Sequence, residues 1–282
     1  MIKFFRHIRK SLLMKNLPTG QAGKTGKYFK YAIGEIVLVV IGILIALQIN
    51  IWNQSRKEKA KEIKYLTSIK SDLIEQLQYI NSQKKYELSF INAASPVIEY
   101  YNKHSKFSLD SAFFKNITIL NSRKTFITTD PTFIDLVSSG NINLIENDVL
   151  KKKIISYYQE LELAEKIIQN NNTLITDQEY SIVMHKLGYY YFPSNGGYLG
   201  EDFILEDIVK KSLQKTKSFN QKLANTASKI LSKPENQLHL LNTLNHRHIV
   251  SLGHYQRSFI LENKTKELIQ ELEKHINTST KK

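Results

Sequence analysis

The stretch Ala32–Ile51 reads AIGEIVLVVIGILIALQINI, and its centre, Ile36–Leu47, contains no polar side chain. Twenty helical residues reach about 30 Å, the thickness of a bilayer's hydrocarbon core. A run of this length has to be buried in protein or in lipid, so it limits the chain more sharply than any other feature. Glu35 and Gln48 stand near its ends, where polar groups reach the interface. Trp52 and the Tyr28/Phe29/Tyr31 cluster fit the aromatic belts that flank membrane spans. A buried core helix is the competing reading, and basic flanks on both sides speak against it. A signal peptide has an apolar core of usually about 7–15 residues and ends at a small-x-small site. Ala46-Leu47-Gln48 is no such site. The run is therefore read as an uncleaved signal anchor, with residues 32–52 as the membrane helix.

Charge sets the expected orientation. Residues 1–31 carry eight Lys and Arg and no acid, and Arg56–Lys64 adds five basic and two acidic residues. The positive-inside rule then puts 1–31 in the cytoplasm as a basic tail and 53–282 outside it. The formal net charge of +14 resembles that of a nucleic-acid binder. The tail accounts for +8 of it, Arg56–Lys64 for +3 and Glu35 for −1, leaving +4 for residues 65–282. Nucleic-acid affinity needs basic residues gathered on a folded face. Here they gather beside an apolar run, so no nucleic-acid partner is expected. The absence of Cys excludes disulfides, thiolate zinc sites and a cysteine nucleophile.

Beyond Trp52 the pattern is helical. Ile63, Leu66, Ile69, Leu73, Leu77 and Ile80 mark one face of an amphipathic helix that continues the membrane helix, with Pro96 as a break or kink. Asp130 fits an N-cap, Pro131 the first helical position and Gly140 the residue past the end, with Phe133, Leu136 and Val137 on one side. Ser138–Ile145 reads as a connector. Asn147 caps a longer helix with the apolar face Leu150, Ile154, Tyr157, Leu161 and Ile168. Pro234 opens another, through Leu238, Leu241, Leu252, Tyr255, Phe259, Leu268, Leu272 and Ile276. The best strand signal is the short Leu187–Phe192. Several long amphipathic helices bury their stripes against one another, so the expected fold is all-α: one transmembrane helix continuing into an extramembrane helical bundle, coiled-coil-like in its packing.

Met1-Ile2-Lys3-Phe4-Phe5-Arg6, followed by the membrane block Tyr31-Ala32-Ile33-Gly34-Glu35 through Gln48-Ile49-Asn50-x-Trp52-Asn53, resembles a family of uncharacterised bacterial single-pass membrane proteins. So does a second block, Phe133-x-x-Leu136-x-Ser138-Ser139-Gly140-Asn141-x-Asn143-Leu144-Ile145, with Tyr157-Tyr158 downstream. A looser third match is Asn242-x-Leu244 with Arg247. Asn16–Lys24 looks like an insertion relative to that family. The resemblance implies a bacterial cytoplasmic-membrane location. It implies no activity, and no catalytic residue carries over.

Other strings have plain explanations. Gly20-Gln21-Ala22-Gly23-Lys24-Thr25 ends like a phosphate-binding loop, but Pro18 occupies the first glycine position and no strand precedes it. His239, His246, His248 and His254 are the histidine-rich stretch. Residues two apart on a helix point about 200° away from each other, so His246 and His248 cannot chelate one ion without unwinding. No metal site, cofactor or catalytic set is expected: Ser82–Lys85 and Ser212–Lys215 lack the partner motifs of Ser-x-x-Lys enzymes. Glu201/Asp202 and Glu206/Asp207 suit a solvated helix start.

Two stretches are candidate contact sites. Tyr189, Tyr190, Tyr191, Phe192 and Tyr198 surround a Gly-Gly turn, as an exposed contact surface or as a loop folded over the bundle end. Gly34, Gly42 and Ala46 share one helix stripe in the span, where small residues let membrane helices pack into a homo-oligomer. The expected function is a non-enzymatic, membrane-anchored scaffold or interaction protein of the cell envelope, whose partners are the lipid bilayer and an unknown envelope protein. The alternative is an extracytoplasmic sensor or ligand-binding domain that signals through a separate partner.

Overall fold

A computed structural model describes residues 24–191, 206–215 and 219–280. It is all-α, and no strand occurs among the described residues. The helices are α1 (Lys24–His104), α2 (Ser111–Ile119), α3 (Pro131–Ser138), α4 (Asp148–Asn171), α5 (Ser181–Leu187), α6 (Asp207–Lys215), α7 (Gln221–Leu231) and α8 (Pro234–Thr280). A 3-10 turn, Asn141–Leu144, follows α3, and a π-helical segment, Asn172–Tyr180, joins α4 to α5. The chain divides into two compact units, Met1–Ala60 and Lys61–Lys282.

In the first unit, α1 is long and apolar enough to cross a membrane, with a mean hydropathy of 2.6 over its most apolar stretch. Its large apolar side chains are exposed, from Ile41 at 42% to Trp52 at 64%. Arg56 lies over the Trp52 ring at 5.5 Å.

In the second unit, α8 runs antiparallel to α1, as Lys70–Glu273, Lys84–Glu262 and Glu87–His254 show. It also runs antiparallel to α4, where Tyr157 Oη meets Thr265 Oγ1 at 2.9 Å and Lys264 meets Glu160 at 2.5 Å. The buried positions of α1 fall at alternating spacings of four and three: Glu62, Leu66, Ile69, Leu73, Gln76, Ile80, Gln83, Glu87, Phe90, Ala94 and Val97. Those of α8 do the same from Leu240 through Leu244, Arg247, Ser251, His254, Ser258, Leu261, Thr265 and Leu268 to Leu272. This is the seam spacing of helices packed side by side.

Two apolar clusters fill the unit. One gathers Leu66–Ile80 of α1, the inner face of α4 and Leu261–Leu272 of α8. The other gathers Phe90–Val97 of α1, α2, α5, α7 and Leu240/Leu244 of α8. Between them α1, the π-helical segment and α8 contribute buried polar groups: Gln83 and Glu87, Asn172 and Thr176, and Arg247, Ser251, His254 and Ser258.

Several expectations need correcting. Pro96 does not break α1, which continues to His104. Leu187 ends α5 and no strand follows it among the described residues. Asp130 makes no side-chain cap to α3; Asp72 of α1 accepts the Thr132 N–H instead, at 3.1 Å. Gly140 does sit past the end of α3 at φ 72, a left-handed position that costs a side chain steric strain. Asn147 caps α4, accepting from Val149 N and Leu150 N at 3.1 Å each, and all five expected apolar residues of α4 are buried. On α8 the expected face holds towards its end, where Leu268 and Leu272 are buried, but Leu238, Leu252 and Phe259 are exposed, because packing there selects the polar-bearing seam beside them.

Candidate functional site

In the connector 121–147, residues 122–130 and 145–147 have no regular structure, so their backbone needs hydrogen-bond partners from elsewhere. The polar seam residues of α1 supply them. Gln76 donates through Nε2 to Ile127 O at 3.0 Å and accepts Thr129 N–H through Oε1 at 2.6 Å. Glu62 accepts Glu146 N–H at 3.2 Å. Tyr65 Oη donates to Asp135 at 2.8 Å and accepts from Asn141 Nδ2 at 2.9 Å, while Lys61 reaches Asn141 Oδ1 at 3.0 Å. The Ser138–Ile145 block is thereby docked on α1, and α3 is aimed across α4.

That docking shapes a cavity of about 340 Å³ between α3 and α4. Its apolar side is Phe133, Ile134 and Val137, with Phe133 stacked on Tyr158 at 4.2 Å and 12°. Its polar side includes Asp130, Glu162 and Glu165. Thr128 Oγ1 donates to Glu165 at 2.7 Å and Lys166 pairs with Glu162 at 2.5 Å. Partial burial, and then the charge of Glu165, raise the Asp130 carboxyl above its ordinary value. Burial, and then neighbouring Tyr157 and Asp72, push the Tyr158 phenol up. Tyr158 is 4% exposed, and its hydroxyl has no hydrogen-bond partner among the described residues.

The buried polar layer is the second concentration of chemistry. Arg247 donates to Leu120 O at 3.2 Å, Ser122 O at 3.1 Å and Ser251 Oγ at 2.6 Å, and lies over the Phe90 ring at 4.5 Å. Burial lowers its pKa, and the charge of Glu87 opposes that shift. Gln83 Nε2 donates to Glu87 Oε1 at 2.8 Å. These groups bridge helices and are closed to solvent.

The structure separates the four histidines. His239 is exposed, His246 pairs with Glu179 at 2.8 Å, His248 meets Ser95 at 3.3 Å and His254 meets Glu87 at 3.1 Å. No group of three or more His, Cys, Asp or Glu is placed to hold a metal ion among the described residues. Tyr189 and Tyr191 are half-buried against Phe219 at 5.7 and 5.1 Å, and Tyr190 packs on His185 at 5.0 Å. Asn220 N–H donates to Tyr189 Oη at 2.9 Å, and Tyr191 N–H to Thr118 Oγ1 at 3.0 Å. Phe192 and Tyr198 lie outside the described residues. Gly34 and Gly42 have open space where a side chain would begin, and Ala46 is exposed on the same helix.

The apolar periodicity missed Glu62, Gln76 and Glu87 because they are polar. Their spacing, in phase with Leu66, Ile69, Leu73 and Ile80, is the signal that finds them.

The sequence model of a family of unknown function, DUF6090, matches residues 35–190. The matched segment contains the whole cavity. No curated protein and no solved structure matches the chain.

Proposed function

The chain belongs to the DUF6090 family of unknown function, and from that premise we propose that it is a non-enzymatic, membrane-anchored interaction protein of the bacterial cell envelope. The observation that carries this reading is the exposed apolar run of α1. Large side chains from Ile33 at 48% to Trp52 at 64% lie bare along it. An apolar surface of that extent is a contact with lipid or with protein. Basic residues flank it on both sides, and the larger number precedes it, which supports an orientation with residues 1–31 in the cytoplasm and 53–282 outside.

One acid–base pair of the domain is sealed inside it. Glu87 and His254 are each 2% exposed and joined to one another, out of reach of a substrate. Copurification from crosslinked membranes recovers the same partners in repeated preparations; repeated recovery of none overturns the role. For orientation, alkaline phosphatase fused after Lys282 is active and alkaline phosphatase fused before Lys24 is inactive. The opposite pair of results reverses the topology.

A second reading, a ligand-binding domain, is favoured by the cavity between α3 and α4. Its volume of about 340 Å³ falls at the small end of ligand pockets.

A further inference from the structure

Three features of the α3–α4 cavity point to one class of ligand. The first is charge. Among the residues that line it are three carboxylates, Asp130, Glu162 and Glu165, with only Glu162 paired to a lysine, Lys166, outside the lining, and no Lys, Arg or His lines it, although the chain has 40 Lys and Arg against 26 Asp and Glu. A concave site lined by one sign of charge concentrates the opposite ion.

The second is the shape of the apolar side. Phe133 and Tyr158 form a stacked pair there, and Ile134 and Val137 are 56% and 48% exposed beside it. Aromatic faces attract cations that have lost part of their hydration. The third is Tyr158 itself. It lines the cavity with 4% of its surface exposed, Asp130 and Asp72 act on it electrostatically, and its hydroxyl oxygen has no partner among the described residues.

A bare metal ion is a poor match. The carboxylates enter from two elements, the residue before α3 and the face of α4, and the described residues hold no set of three acidic or histidine ligands close enough for one ion. An ammonium group on an apolar body suits the arrangement better. Its N–H donors can reach Asp130 and Glu165 from one end, while its body covers Phe133 and Val137.

We propose that this cavity binds a small organic ammonium ion carrying an aromatic or alkyl body. The inference rests on the ligand-binding reading and names its ligand class.

The test uses the full chain in lipid nanodiscs, with isoleucine methyl groups observed by NMR. Phenethylammonium is titrated against its neutral counterpart 2-phenylethanol and against calcium chloride. Phenethylammonium shifts the Ile134 methyl signal saturably, and 2-phenylethanol acts at least tenfold more weakly. Asp130→Asn combined with Glu165→Gln weakens the amine at least tenfold while the Ile69 signal stays in place. Should that variant misfold, Val137→Trp fills the slot from an exposed position and removes the response. Equal action of amine and alcohol overturns the cation but keeps a ligand site. Silence from both overturns the ligand-binding reading as well. Displacement of the amine by equimolar calcium replaces the organic ion with a metal and overturns the proposal.

Discussion

Glu87 Oε1 and His254 Nδ1 lie 3.1 Å apart with 2% of each side chain exposed, at the level where the two apolar clusters of the domain part. A carboxylate only accepts, so His254 Nδ1 carries the proton. Its Nε2 is then the acceptor for Asn171 Nδ2 at 3.1 Å. One hydrogen-bonded chain thus ties α1, α8 and the end of α4.

Removing one member of this pair leaves the other buried without its partner. Glu87→Leu alone or His254→Leu alone is expected to cost about 3–5 kcal/mol. The double variant recovers part of the loss, with a coupling of about 1–3 kcal/mol. Urea unfolding of the four proteins measures it, and additive losses would show that the two residues act independently.

Arg247 is the largest fully buried side chain and holds two connector carbonyls. Arg247→Met strands both of them and is expected to cost about 2–4 kcal/mol. Arg247→Lys does not rescue it, because an ammonium cannot reproduce the planar fork that reaches Leu120 O, Ser122 O and Ser251 together. Thermal melts of the two variants test this, and a wild-type melt for Arg247→Lys counts against it.

Glu262 is held by Lys266 and Lys84, which together depress its pKa below the usual carboxylate range. A depressed carboxyl stabilises the fold above its unfolded pKa and loses that stability as pH falls through its folded value. Melting temperature therefore drops below about pH 4, and Glu262→Gln flattens that part of the profile. An unchanged profile would remove the ion pairs from the stability of the domain.

Asp130 has the opposite sign. Its raised pKa means that the folded state binds a proton more tightly than the unfolded chain does, so this residue costs stability at neutral pH. Because the group is half-buried beside solvent, Asp130→Asn is expected to gain only a few tenths of a kcal/mol at pH 7. The gain disappears in acid, where the wild-type carboxyl is already protonated. A loss of stability at pH 7 would contradict the assignment.

In the apolar run of α1, a Cβ added at Gly42 meets nothing within 4 Å beyond the helix's own backbone. Any effect of Gly42→Ile on association therefore arises between copies. If the small-residue stripe forms the contact, that variant weakens it by about 1–2 kcal/mol in an isolated-span reporter assay. Equal signal from both leaves oligomerisation to the helical domain.

How far the fold was legible depended on how local its causes are. The Asn147 cap, Pro131 at a helix start and Gly140 past its end were readable because a few adjacent residues satisfy the same backbone groups. The α4 stripe was readable because its apolar spacing suffices to mark the buried side. The first part of the α8 face was misread because Arg247, Ser251, His254 and Ser258 occupy the buried seam, while Leu238, Leu252 and Phe259 face outward and only Leu268 and Leu272 are buried as expected. Asp130 stands at the expected N-cap position of α3, but its side-chain bond is made instead by Asp72, which is distant in sequence.

The amino-acid sequence by itself determined the apolar run, the helical content and most helix ends, all of which follow from short-range composition and periodicity. Only the tertiary structure decided which polar side chains go inside. Burying Glu62, Gln76, Glu87 or Arg247 is unfavourable unless a partner replaces water, and those partners, Glu146 N–H, Thr129 N–H, His254 and the Leu120 and Ser122 carbonyls, come from distant segments. The α3–α4 cavity has the same origin: it opens where the connector is hung from α1, and no window of sequence contains both.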